Sequence, residues 1–167
     1  KVDMEEIYHN LEGSNNDYQL SLWDHHLQSG YRIVGVGGID SHKPYEDLHE
    51  LGQVNTYVFA DELSERGIIQ GLKRGQVYVS RGPEIRFQGK SKSGKTALMW
   101  ENLPMDDGPF EFEVKVLWDK PLRMFIMRDG MMYQIEKLEG SPDWQTVNFS
   151  VSNHDRPGYY RIELHDI

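Results

Sequence analysis

The chain has 167 residues, 38% of them hydrophobic and 11% aromatic, with no cysteine and a formal net charge of −9. That length holds one ordinary domain or two small ones, and the absence of Cys excludes disulfides and thiolate ligands, so any transition metal must be held by His and carboxylate. The charge repels a phosphate backbone and no segment gathers Lys and Arg into a stripe, no apolar run approaches the roughly 18 residues of a membrane span, and Lys1 to Asn10 lack a signal-peptide layout, which argues against nucleic acid and membrane as partners and leaves the compartment open.

Val2 to Asn10 reads as a strand with no preceding cap or turn, so the chain is expected to begin inside a fold. Asp17 can cap a helix whose Leu20, Trp23 and Leu27 share one face and which Gly30 can end. A strand over Tyr31 to Val36 follows. The alternation then repeats: a strand from Thr56 to Ala60, a helix capped by Ser64 with Ile68, Ile69 and Leu72 inward and Gly75 as its stop, and a strand from Gln76 to Ser80. Strands alternating with helices predict an α/β layer with parallel strands over residues 1–82.

At Arg81-Gly82-Pro83 the texture changes and no helical period follows. Phe110, Phe112, Val114, Val116 and Trp118 alternate with Glu111, Glu113 and Lys115, the period of a strand with one buried face. Val147, Phe149 and Val151 repeat it, as do Tyr160, Ile162 and Leu164. Asp129-Gly130, between Leu122 to Arg128 and Met131 to Leu138, marks a two-residue hairpin. Residues 83–167 therefore predict an all-β antiparallel sandwich.

The segment Gly35-Val36-Gly37-Gly38-Ile39-Asp40-Ser41-His42-Lys43-Pro44 leaves the end of the Tyr31 to Val36 strand, where α/β folds gather catalytic groups. Asp40 and His42, two apart on extended backbone, pair a carboxylate with an imidazole, a competent donor set for a divalent transition metal. The alternative from these residues alone is a turn-capping aspartate beside a surface histidine. Asn10, Ser41 and Lys43 are further candidates for supporting hydrogen bonds or substrate contact.

Trp23-Asp24, Gly30-Tyr31-Arg32 and Gly35 to His42, in that order, resemble the last metal-binding segment of the polymerase and histidinol phosphatase (PHP) superfamily, most closely its carbaryl-hydrolase-like branch. The likeness continues through Thr56-Tyr57-Val58, Leu63-Ser64, Ile68 to Leu72 and Gly75 to Pro83. More loosely, Phe125 to Met132, Trp144 and Tyr159 to Leu164 are similar to the sandwich that follows in that branch. The resemblance implies the C-terminal part of a distorted α/β barrel, with strand ends carrying ligands for two or three divalent ions, Zn, Mn or Fe. Only the family's closing Asp-x-His maps here, onto Asp40 and His42. Its other ligands would lie in a missing N-terminal part of the polypeptide; His9, His25 and His26 do not fit those motifs, and the last two read as solvent-facing. Ile39 departs from the branch, which has a small Ser there, and relatives add a strand after the equivalent of His165, so both ends are expected to be trimmed. The implied activity of the whole protein is hydrolysis of a small phosphoester or other ester by metal-activated water, with this chain alone inactive.

Two other features point elsewhere. Gly89-Lys90-Ser91-Lys92-Ser93-Gly94-Lys95-Thr96 fits the phosphate-loop pattern, but Pro104 allows no long helix after Thr96, so a hairpin loop is the expected structure. Trp100, Trp118, Trp144, Tyr133, Tyr159 and Tyr160 open a second functional class, a non-enzymatic sandwich that binds a partner protein or carbohydrate. Trp118 and Tyr160 fall on apolar strand faces, which leaves Trp144 as the first candidate for exposure.

Overall fold

A computed structural model describes residues 3–9, 16–39, 52–105, 108–152 and 156–167. The chain divides into two compact units, Lys1–Gly82 and Pro83–Ile167. No helix among the described residues is long and apolar enough to cross a membrane.

In the first unit, strand β1 (Met4–His9), helix α1 (Asn16–Gln28) and strand β2 (Val34–Gly38) form one strand-helix-strand turn of chain. β1 and β2 pair in parallel, from Met4 opposite Val34 to His9 opposite Gly38. Trp23 is the buried anchor of α1, and its Nε1 donates to the Ile33 carbonyl at 2.7 Å. Gly30, at φ 84°, closes the helix in the left-handed region. The strand expected from Tyr31 to Val36 is shifted: it starts at Val34 and runs on through the glycines to Gly38. The cause is close packing. A Cβ on Gly35 would stand 2.6 Å from Ile7 Cδ1, and one on Gly37 would stand 2.5 Å from Val79 Cγ1 and 2.7 Å from the Tyr8 carbonyl oxygen.

Strand β3 (Asn55–Val58), helix α2 (Glu65–Arg74) and strand β4 (Val77–Ser80) follow. Here the expectation of a parallel α/β layer, the C-terminal part of a barrel, is overturned. β3 and β4 pair antiparallel, in a two-stranded sheet separate from β1 and β2. The Phe59 amide donates to the Gln76 carbonyl, extending that pairing and closing the helix as an excursion from a hairpin. The described residues are 50% strand and 16% helix in several small sheets, which is a mostly β molecule and not an α/β barrel. Alternating strand and helix periods in a sequence do not encode strand direction, and direction decides the class.

The inward face of α2 also differs. Ser64 caps the helix, its side chain accepting from the Gly67 amide, and Gly75 ends it at φ 71°. The buried positions, however, are Gly67 and Gly71, whereas Ile68 and Ile69 are 38% and 40% exposed. The helix lies too close to β3 for side chains on that face: a Cβ on Gly71 would stand 2.5 Å from Val58 Cγ1.

The second unit agrees with the sandwich expectation. Strands β5 (Glu84–Lys90), β6 (Thr96–Leu98), β7 (Phe110–Trp118) and β10 (Ser141–Val151) form one sheet in the order β10-β7-β5-β6, and β8 (Leu122–Arg128), β9 (Met131–Leu138) and β11 (Tyr160–Asp166) form a second in the order β11-β8-β9. All these pairings are antiparallel. Val114, Val116 and Val151 of the first sheet and Leu122, Met124 and Ile126 of the second are almost fully buried, each side chain contributing about 1.5–3 kcal/mol. Tyr160 on β11 meets Phe112 on β7 at 4.9 Å between ring centres, so the inner faces interdigitate. Asp129 and Gly130 turn the β8–β9 hairpin at φ 49° and 76°. The phosphate-loop pattern is the β5–β6 hairpin: the Ser91 amide donates to the Lys95 carbonyl, and β6 follows Lys95 where a nucleotide-binding helix would have to start.

Candidate functional site

The five residues named from the sequence, Asn10, Asp40, Ser41, His42 and Lys43, lie outside the described residues. What the structure describes is the strand end from which Asp40 follows. Because β1 and β2 are parallel and a register shift between Glu6 and Tyr8 brings His9 opposite Gly38, their carboxyl ends stand side by side. Ile39 then leads into Asp40.

That end is tied from three directions. From α1, the Asn16 side chain accepts from the His9 amide at 3.0 Å and donates to the His9 carbonyl at 3.1 Å, pinning the first helical residue to the last residue of β1. Lower on the same helix, His26 Nδ1 is 2.9 Å from Glu5 Oε2, so His26 is engaged with β1 and is not the solvent-facing residue its helical position suggested. His25 is exposed. From β3, the Thr56 hydroxyl accepts from the Gly37 amide at 2.9 Å and donates to the Gly37 carbonyl at 2.8 Å. From β4, Val79 packs against the Cα of Gly37.

In the sequence Thr56 opens a predicted strand and lies in the Thr56-Tyr57-Val58 segment of the family resemblance, with no role of its own. His9 was set aside because it fits no family motif, yet it is the half-buried imidazole beside Gly38.

Among the described residues there is no group of three or more His, Asp or Glu side chains arranged to hold a metal ion. The donor chemistry of Asp40 and His42 suits a divalent ion, and the described strand end before them is hydrogen-bonded at Gly37 by Thr56.

Elsewhere, two tryptophans of the sandwich carry a cation over the ring, and Tyr133 is exposed. The Arg86 guanidinium covers the Trp144 ring at 4.7 Å, and the Lys120 ammonium lies 5.5 Å from the Trp118 ring centre. A shallow depression over α2 is lined by Ser64, Glu65, Arg66, Ile69, Gln70 and Lys73, polar and apolar residues of one exposed helix turn with no converging catalytic groups. No family model matches the chain, and neither a curated protein nor a solved structure matches it.

Proposed function

We propose that this chain is part of a metal-dependent hydrolase related to the PHP superfamily, acting on a small phosphoester or other ester, in which Asp40 and His42 are metal ligands. The observation that carries the reading is the parallel pairing of β1 and β2, which continues past a register shift between Glu6 and Tyr8 to His9 opposite Gly38 and so brings two strand ends together just before Asp40-Ser41-His42. The proposal rests on that segment and requires no barrel. A divalent ion held there supplies Lewis-acid polarisation of the ester and a water nucleophile at neutral pH. This chain's part is to hold the ion through one carboxylate and one imidazole that follow a strand end whose Gly37 is bonded on both polar groups by the Thr56 hydroxyl. Asn10, Ser41 and Lys43 are assigned supporting hydrogen bonds or substrate contact. Two ligands neither close a coordination shell nor balance the charge of a metal cluster, so the remaining ligands belong to another part of the polypeptide and the 167-residue chain alone is inactive.

Elemental analysis of the whole natural polypeptide, after reconstitution with Zn, Mn or Fe, tests this. Two or three ions per chain are expected, with most of the metal lost from an Asp40→Ala, His42→Ala variant and from this chain alone. A metal-free whole protein would sink the reading, as would ester turnover by this chain alone.

A further inference from the structure

We infer that Thr56 is a positioning residue, a side-chain clasp that sets the end of β2 for the metal ligands that follow it; the inference rests on the metal-hydrolase reading. In a parallel strand alternate residues direct both their amide and their carbonyl to the same side. Gly37 directs both away from β1, toward an edge of β2 that no strand pairs among the described residues. A single hydroxyl takes up both groups, accepting from the amide at 2.9 Å and donating to the carbonyl at 2.8 Å. Thr56 thus does for one residue what a neighbouring strand does for a whole ladder. It does so at the last turn of backbone before Asp40.

The alternatives for Gly37 are narrow. A larger residue is barred by Val79 and the Tyr8 carbonyl, so no side chain of its own can lock it. Without the hydroxyl, its two polar groups are part-buried and unsatisfied, and the strand end is free to twist about the Gly37-Gly38 pair. Metal affinity is sensitive to such freedom, because ligands must sit within a few tenths of an ångström of their place. Val79 touches the same glycine through packing alone, which separates hydrogen-bonded positioning from general stability.

The test uses the whole natural polypeptide and the metal alone as probe. Thr56→Val and Thr56→Ala delete the hydroxyl, Thr56→Ser keeps it, and Val79→Ala removes packing from Gly37 while leaving the clasp. Metal dissociation constants come from chelator competition, melting temperatures from calorimetry, and Gly37 amide exchange from NMR. The expected result is about 10-fold weaker metal binding for Thr56→Val and Thr56→Ala, the range in which supporting hydrogen bonds act on metal sites, with Gly37 exchange accelerated. Thr56→Ser and Val79→Ala are expected to stay near wild type in affinity, even where Val79→Ala melts as low as Thr56→Val. Unchanged affinity in Thr56→Val overturns the inference. So does a loss of affinity that follows melting temperature across all four variants. Wild-type protein that holds no metal after reconstitution is a different failure, that of the hydrolase reading itself, and takes the inference with it.

Discussion

Tyr160 stands on the inner face of β11, 4.9 Å from the Phe112 ring and 6.1 Å from Tyr133. Burial pushes its phenol up to about 12 from an ordinary value of 10.0; the Arg128 charge pulls the other way, while Tyr133 and Asp129 add to the rise. The folded protein therefore holds this proton more tightly than the unfolded chain does. The resulting stabilisation is fully present below pH 10.0 and is lost as pH rises toward and through about 12. Denaturant melts at intervals across that window should show wild type losing stability more steeply than Tyr160→Phe, which has no proton to lose. Parallel profiles for the two proteins would show that the phenol is not held in its neutral form by the fold. Asp61 offers a contrast at the surface: its hydrogen bond to Arg74, at 2.9 Å, holds its carboxyl below the ordinary value, but full exposure leaves that pair little weight in stability.

Helix α2 shows how an element can have clear ends and a misleading face. Its caps were legible, because a serine oxygen that meets a free amide and a glycine at positive φ are local chemistry. Its buried side was not. The periodic isoleucines predicted one face, and the helix packs through Gly67 and Gly71 instead, leaving Ile69 40% exposed. Hydrophobic period reports which side chains favour burial; how close two backbones come is set by what they pack against. Gly71→Ala is accordingly expected to destabilise the protein, since overpacking costs about 1–3 kcal/mol against about 1 kcal/mol returned by helix propensity. Ile69→Ala should cost less than about 0.5 kcal/mol, the usual range for exposed sites. Chemical denaturation of both variants checks this, and a larger loss at Ile69 would mean that the isoleucine face is covered in solution. The β2 strand teaches the same lesson in reverse. A glycine run read as loop is strand through Gly38, because Ile7, Trp23, Val79 and the Tyr8 carbonyl leave no room for side chains there.

At the scale of the molecule, the two units differ in how they are held. Pro83–Ile167 has its own sandwich core, with Val114, Val116, Met124, Ile126 and Val151 at 0% exposure. The described residues of Lys1–Gly82 form two small two-stranded sheets, and their buried core comprises Trp23, Ile33, Val34 and Val54. A fragment of residues 83–167 should therefore unfold cooperatively on heating, whereas residues 1–82 alone, with the smaller described core, should melt at a lower temperature. Calorimetry on both fragments decides, and a broad transition for the sandwich fragment would show that it depends on its neighbour. The sequence by itself determined the break near Pro83, the strand faces of the sandwich, the Asp129-Gly130 hairpin and the caps of α2, because each rests on contacts within a few residues or on a strict period of two. Tertiary structure decided the antiparallel pairing of β3 with β4 in place of a barrel layer, the glycine face of α2, the engagement of His26 with Glu5, and the hydroxyl of Thr56 on Gly37. Each of those depends on where residues distant in sequence come to lie, and hydrogen-bond direction and backbone distance leave no period in a sequence to be read.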